Sequence, residues 1–471
     1  MTGSVPPAPT ALLPDVYPFA AYLGQRFGCK YLIGVGDSAA EDLIDFHPEF
    51  KVIGVVRGAS LEKYRRQSEF GTWLDLDNQR SHGAPLADPI LEESIIVCTD
   101  MIDQLERHAG LLGLLKSWLD HAPVCLLTAR LAGRCKPSDL ECLLRAQGFN
   151  VEFIGLTASD SVSHEKKTIL AVMTNPRLSV AARCAEGQTP DDFRVLGFMA
   201  AYNEEDIIVQ SIRKWTDQGI AVHVLENWST DATYELIKEL GTQLPVTVER
   251  YPADGPSKHF EWGAMLARME GLSREIEANW FIRRGADEVL TSPWPSVSYR
   301  DALYLLDRAG FNCVDHTVIN FHPVDDGFEA GADHEAYFRH FRFGRHGADF
   351  EQRKTWKNSG QPIAMADSGG HDLPFAGRRI YPFKFLLKHY PVRSQGHGEK
   401  KVFRERKARW NPEERAKGWH NHYDEIDQGH TFVLSPSALT AFDEAHFNET
   451  YLVERLSGIG VIRSGGDAEG A

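Results

Sequence analysis

The sequence predicts an α/β protein in two parts, a doubly wound Rossmann-like domain followed by a second α/β domain that carries the chemistry. Three observations lead there. From Tyr31 to Met173, short apolar runs alternate with helical stretches, as strands and helices do around a mainly parallel sheet. From Pro176 to Asp192 the chain turns to Pro, Ser, Ala, Gly and Asp without periodicity, which marks a linker. Beyond the linker, three apolar runs each stop on a turn rich in acids and amides. A chain of 471 residues also exceeds the ~250 to 300 at which a single core stops growing.

Composition narrows the class. With 42% hydrophobic and 25% charged residues the chain can bury sizeable cores, and no run of about 18 apolar residues could span a bilayer. The net charge of −15 argues against general nucleic-acid binding, which depends on neutralising phosphates. Residues 378–409 are locally basic, a pattern that suits a diphosphate, an anionic lipid carrier or a solvated helix face. The seven cysteines form no C-x-x-C pair and read as reduced core thiols. Residues 1–14 lack the charged and apolar regions of a signal peptide and read as a disordered lead-in. A cytoplasmic protein is expected, with peripheral contact at the inner membrane face through 378–409.

In the first domain, residues 15–175, strands are expected at Tyr31 to Val35, Lys51 to Val56, Thr72 to Leu76, Ser94 to Cys98, Pro123 to Thr128, Asn150 to Ile154 and Thr168 to Met173. The ligand edge of such a sheet lies at the strand C-termini. There the chain has Gly34-Val35-Gly36, and later Cys98-Thr99-Asp100-Met101-Ile102-Asp103. With Gln147-Gly148-Phe149 before two last strands, this region resembles the class I S-adenosylmethionine-dependent methyltransferases. The resemblance implies that Gly34, Gly36 and Asp100 contact S-adenosylmethionine. It departs at Arg57, which follows the second strand where that family has an acid. A binding or scaffolding domain of inherited architecture is therefore expected, with active methylation as the alternative.

In the second domain, residues 193–395, Val195 to Ala201 leads to Tyr202-Asn203-Glu204-Glu205. Ala221 to Leu225 leads to Glu226-Asn227-Trp228-Ser229-Thr230-Asp231, and Trp280 to Ile282 leads to Gly285-Ala286-Asp287-Glu288. Such turns are also ordinary helix starts, because acids and hydroxyls cap a first turn. Their order and spacing resemble the glycosyltransferase family 2 type of GT-A domain. The resemblance implies a hexosyl transfer from a nucleotide diphosphate sugar to a hydroxyl of a glycan, lipid-linked sugar or protein, with inversion.

Ala201, Tyr202, Glu204, Glu226 and Asp231 would then contact the nucleotide, with Lys258 and Arg284 beside its phosphates. Asp287 and a late histidine, His389, would hold Mg2+ or Mn2+, hard cations that take oxygen ligands. Gly285 stands where the family has the first acid of its Asp-x-Asp. Asp372, in Gly369-Gly370-His371-Asp372, falls where inverting members carry the base; Asp315, Asp325 and Asp326 are rivals. Two rivals accompany this reading: a bifunctional glycosyltransferase and methyltransferase, and a non-catalytic nucleotide- or sugar-binding protein. Residues 396–471 are expected to form a basic, helical extension, with Trp410 and Trp419 available to stack on sugar rings.

Overall fold

The strands of the first unit are rich in Val, Ile and Leu and almost wholly buried because a parallel sheet is covered on both faces. In the computed structural model the described residues are 13–461 apart from 37–38, 40–41, 44–48, 57, 68–70, 77–85, 100–108, 131–135, 160–164, 181–187, 345–348 and 420–423. The chain divides into two compact units, residues 1–187 with 444–460, and residues 188–443 with 461–471.

The first unit runs α1 (Val16–Phe27), β1 (Tyr31–Val35), β2 (Lys51–Val56), α2 (Gly58–Gln67), β3 (Gly71–Asp75), α3 (Asp88–Glu92) and β4 (Ser94–Cys98). It continues with α4 (Ala109–Leu119), β5 (Val124–Arg130), α5 (Pro137–Ala146), β6 (Val151–Thr157) and β7 (Thr168–Thr174). The strand order is β3-β2-β1-β4-β5-β7-β6, and only β7 runs against its neighbours. The fold is thus doubly wound and Rossmann-like, as the alternation predicts. Its order reverses between β1 and β4, the place where such sheets take ligands.

The second unit contains β8 (Val195–Ala201), α6 (Ile208–Thr216), β9 (Ala221–Glu226), α7 (Thr233–Leu240), β10 (Val246–Arg250), α8 (Trp262–Glu275), β11 (Trp280–Gly285) and β12 (Glu288–Thr291). After these come α9 (Tyr299–Arg308), β13 (Cys313–Val314), β14 (His316–Phe321), α10 (His334–Tyr337), β15 (His340–Phe343), β16 (Thr355–Lys357), β17 (Phe385–His389), α11 (Gln395–Glu399), α12 (Pro412–Ala416) and β18 (Thr440–Ala441). One sheet has the order β10-β9-β8-β11-β16-β13 and the other β12-β17-β14-β15-β18. Strands β8 to β11 are parallel, so their C-terminal turns share one edge. Gly285-Ala286-Asp287 is the bend by which the chain leaves the first sheet and enters the second. Gly197 in β8 is required by packing: a Cβ there would meet the Trp215 ring of α6 at 1.4 Å.

The segment from 396 onward is divided rather than one extension. Residues 396–443 stay with the second unit, while α13 (Glu444–Thr450) and α14 (Leu452–Ser457) belong to the first. The reason is burial: Phe447, Leu452, Val453 and Leu456 are 0–1% exposed, an apolar face that must be covered. Lys166, just before β7, bonds Glu454 at 2.6 Å and Asp15 at 3.3 Å, which ties both chain-distant segments to the start of β7. Gly155 of β6 admits the helix pair, because a Cβ there would stand 2.5 Å from the Glu449 carbonyl oxygen.

Two expectations about stability follow. Gly155→Ala should destabilise the first unit by about 1–3 kcal/mol through overpacking, measured by urea unfolding; an unchanged midpoint would disprove the close approach. In the second unit His316 and His334 are fully buried, and burial pushes each imidazole from 6.5 down to about 4. Between pH 6.5 and about 4 the unfolded chain therefore binds more protons, so stability falls as pH drops through that window. Neither His334 ring nitrogen has a hydrogen-bond partner among the described residues, and the ring lies edge-on to Tyr390 at 4.8 Å. His334→Phe should flatten the fall of Tm with pH.

Candidate functional site

The first two turns of the parallel edge are stitched to each other. Asn203 N–H donates to Ser229 Oγ at 2.9 Å, Thr230 N–H to Asn203 Oδ1 at 2.8 Å, and Glu204 N–H to Thr233 Oγ1 at 2.9 Å. Both turns carry a non-glycine residue in the left-handed region, Asn203 at φ 55° and Trp228 at φ 57°. Asn tolerates that conformation, whereas for a bulky residue it costs of order 1–3 kcal/mol and must be held by its surroundings. Trp228 is held by its indole N–H, which donates to the Pro252 carbonyl at 2.8 Å, and by its own N–H, which donates to Glu226 at 3.2 Å. Arg250 lies between the Trp228 and Tyr234 rings, 4.8 and 3.8 Å from their centroids.

The third turn meets a set of cations supplied by residues 389–409. Lys401 Nζ donates to Asp287 Oδ2 at 2.7 Å and to the Pro391 carbonyl at 2.9 Å, and lies 3.9 Å from Glu204. Arg393, buried at 1% exposure, holds Glu204 at 2.6 Å and grips Asp206 through two nitrogens at 2.6 and 3.0 Å. His389 Nε2 stands 3.7 Å from the same Asp287 oxygen, while its Nδ1 bonds Asn320 at 2.8 Å. This neighbourhood follows from register: β12 begins with Glu288 opposite His389 of β17, so the second sheet delivers that imidazole to the bend of the first. Burial alone would raise the Asp287 carboxyl, but Lys401 and His389 hold it well below the ordinary carboxylate range. Burial pushes Glu204 up; Arg393 and Lys401 pull against it without reversing the shift.

The residues singled out from sequence separate into groups. Ala201, Tyr202, Glu204, Asp287 and His389 lie at this edge. Tyr202 presents its ring to Arg409 at 4.3 Å, and Arg409 also donates to Asn227 at 2.9 Å. Glu226 is fully buried; it accepts from the Trp228 and Ser229 amides and pairs with Arg250 at 3.2 Å, so it braces the turn instead of facing a nucleotide. Asp231 caps Thr233, accepting from its amide at 3.0 Å. Lys258 is exposed on the loop before α8.

Arg284 is a correction: it is fully buried, donates to Ser211 Oγ at 2.9 Å and lies on Trp215 at 4.1 Å, out of reach of a phosphate. Asp372 is paired with Arg353 at 2.9 Å and Arg378 at 2.6 Å. Burial would raise its carboxyl, yet those guanidiniums keep it low, which suits an ion-pair anchor better than a base. In the first unit Gly34 is mid-strand, opposite Gly54 and Val97. Gly36 ends β1 at φ 124°, a conformation glycine alone adopts readily. Asp100 and Arg57 lie outside the described residues.

Arg393, Lys401, Arg409 and Asn320 were not singled out individually. The first three sit in the basic run, whose composition suggests a surface. In fact Lys384, Lys388, Arg393 and Lys401 are buried, Arg378 pairs with Asp372, and Arg406 lies on Phe260 at 4.7 Å. Arg379, Lys400 and Arg404 are exposed. Part of the run is therefore internal wiring. No described helix is long and apolar enough to cross a membrane.

The donor set does not fit a divalent cation as arranged. Asp287 and His389 would be its ligands, but the oxygen they share already carries the Lys401 ammonium. Among the described residues no group of three His, Cys, Asp or Glu could hold a metal.

No family model matches the chain, and no curated protein matches it. Similar solved structures include a TehB-like SAM-dependent methyltransferase from Corynebacterium glutamicum, at 12% identity over 33% of this chain and 87% of that one, TM-score 0.25. A SAM-dependent methyltransferase from Aquifex aeolicus is similar at 13% identity over 35% of this chain and 89% of that one, TM-score 0.25. S. aureus TarS, residues 1–349, is similar at 11% identity over 42% of this chain and 60% of that one, TM-score 0.26.

Removing Arg393 would strip the buried Glu204 of its nearest cation, leaving Lys401 3.9 Å away, and would unpair the half-buried Asp206. Arg393→Ala should therefore cost about 3–5 kcal/mol in urea unfolding, whereas a loss below about 1 kcal/mol would show that the pairs are solvent-screened.

Proposed function

We propose that the second unit is a glycosyltransferase that moves a hexosyl unit from a nucleotide diphosphate sugar to a hydroxyl of a glycan, lipid-linked sugar or protein. One observation carries the reading: the C-terminal turns of β8, β9 and β11 share an edge with the buried cations Arg393 and Lys401. Switch-edge turns of a parallel sheet suit a nucleoside, and fixed cations suit a leaving diphosphate. Tyr202 and Trp228 offer rings for a base, each already partnered by a guanidinium.

The acceptor oxygen attacks the anomeric carbon as the bond from that carbon to the diphosphate oxygen breaks. The electron pair leaves with the diphosphate, where Lys401 supports the added charge, and the acceptor's proton passes to a base. Asp372 is not assigned that role, because two guanidiniums lower its proton affinity. Inversion follows from the family resemblance alone.

The test is a panel of UDP-, GDP- and TDP-sugars with the full chain, scored for hydrolysis and for transfer to glycan acceptors. Turnover of one donor is expected, with Tyr202→Ala raising its KM about tenfold through lost stacking. Absence of turnover and of binding across the panel would sink the proposal.

A second reading concerns the first unit. Thr99, at the end of β4 beside the β1 switch point, is 1% exposed, and its hydroxyl has no hydrogen-bond partner among the described residues. With the Gly36 turn this favours a nucleoside-like ligand there, S-adenosylmethionine being the one the family resemblance implies, and hence a bifunctional enzyme. Titration calorimetry on the full chain should give saturable binding that Gly36→Val abolishes; no heat with wild type would reject it.

A further inference from the structure

We infer that Lys401 takes the place of a divalent cation at the Asp287 turn, so that a nucleoside diphosphate binds this chain without metal. The inference rests on reading the site as one for a nucleotide diphosphate sugar. Three features of the site support it.

The first is occupancy of the ligand oxygen. A cation bridging Asp287 and His389 would have to sit against Asp287 Oδ2, the atom 3.7 Å from His389 Nε2. Lys401 Nζ is already there at 2.7 Å; it also donates to the Pro391 carbonyl at 2.9 Å and lies 3.9 Å from Glu204. Lys401 is only 6% exposed, so its position is built into the packing rather than sampled from solvent.

The second is the space at residue 285. A Cβ built on Gly285 would stand 2.7 Å from Asp287 Oδ1. A side chain at that position would push the Asp287 carboxylate away from its present place beside Lys401. The glycine and the lysine are therefore two parts of one arrangement: the bend gives up a carboxylate, and the side chain of Asp287 turns to a fixed cation.

The third is the surrounding field. Arg393 lies on Glu204 and Asp206 in the same neighbourhood, and His397 stands beside both cations. Burial, together with Arg393 and Lys401, pushes the His397 imidazole far down, so it stays neutral and adds no competing proton. A diphosphate entering here meets the Lys401 amine beside a buried guanidinium.

The experiment measures binding rather than turnover. The full chain is titrated with UDP, GDP and TDP by calorimetry, once in EDTA and once with millimolar Mn2+, and separately with Mn2+ alone by the loss of its free EPR signal. The wild type should bind one nucleotide with equal affinity in both buffers, within about twofold, and leave the Mn2+ signal unchanged. Lys401→Met should weaken nucleotide binding in EDTA by about tenfold, a loss of about 1.4 kcal/mol. With Asp287 and His389 then released, it should gain Mn2+ binding. Lys401→Arg should keep metal-free binding. Wild-type nucleotide binding that strengthens about tenfold or more with Mn2+, or wild-type binding of Mn2+ alone, overturns the inference and leaves the glycosyltransferase reading standing. Failure to bind any nucleotide in either buffer overturns that reading and this inference with it. The wild-type comparison decides the matter even if Lys401→Met does not fold.

Discussion

The buried pairing of Arg393 with Glu204 and Asp206, joined by Lys401 with Asp287, is the constraint on which the second unit depends. A carboxylate taken out of water needs a partner of good geometry, and at this edge of the sheet Glu204 is buried while Asp287 and Asp206 are partly so. Their partners come from residues 189 and 114 positions further along the chain. The turn after β8, the bend after β11 and the helical segment from Gln395 to Arg409 are therefore locked by charge as much as by apolar packing. None of the three can move without stranding a charge. That rigidity is what a site needs if its cations are to meet a developing negative charge without reorganising.

The charge pattern of the whole chain takes a different meaning in this light. A protein of net charge −15 with a basic stretch invites a picture of an exposed cationic patch. Here much of that stretch faces inward. Lys384 reaches Asp315 at 3.2 Å, Lys388 reaches Glu335 at 3.1 Å, and Arg393 and Lys401 reach the site. The acids left over give the surface its sign, and the cations give the interior its potential.

The architecture was legible because its signals are local. Strands such as Ser94–Cys98 and Val195–Ala201 are short apolar runs ending on turns, and their alternation with helices is enough to state a parallel sheet. The turns at Tyr202, Glu226 and Asp287 were legible as an edge for the same reason. What each residue does there was not. Glu226 and Asp231 share their residue type with ligand-binding acids, but backbone amides two or three residues away claim them, a competition of short-range hydrogen bonds. Arg284 looks like a phosphate contact in sequence, yet it is buried and lies on Trp215. Lys401 was hidden among neighbours of its own kind, since nothing local distinguishes a lysine that will meet Asp287 from one that will meet water.

The return of residues 444–460 to the first unit bears on how the chain is made. A ribosome synthesises β1 to β7 early, but the helices that cover β6 emerge only after more than 250 further residues have been joined, the whole of residues 188–443. Until then the first unit waits with an open apolar face at Phe153 and Gly155. Residues 188–443, nearly all of the second unit, are free to fold while that face is still uncovered. Order of synthesis and order of completion are thus reversed, and nascent chains should call on chaperones through the older half of the molecule.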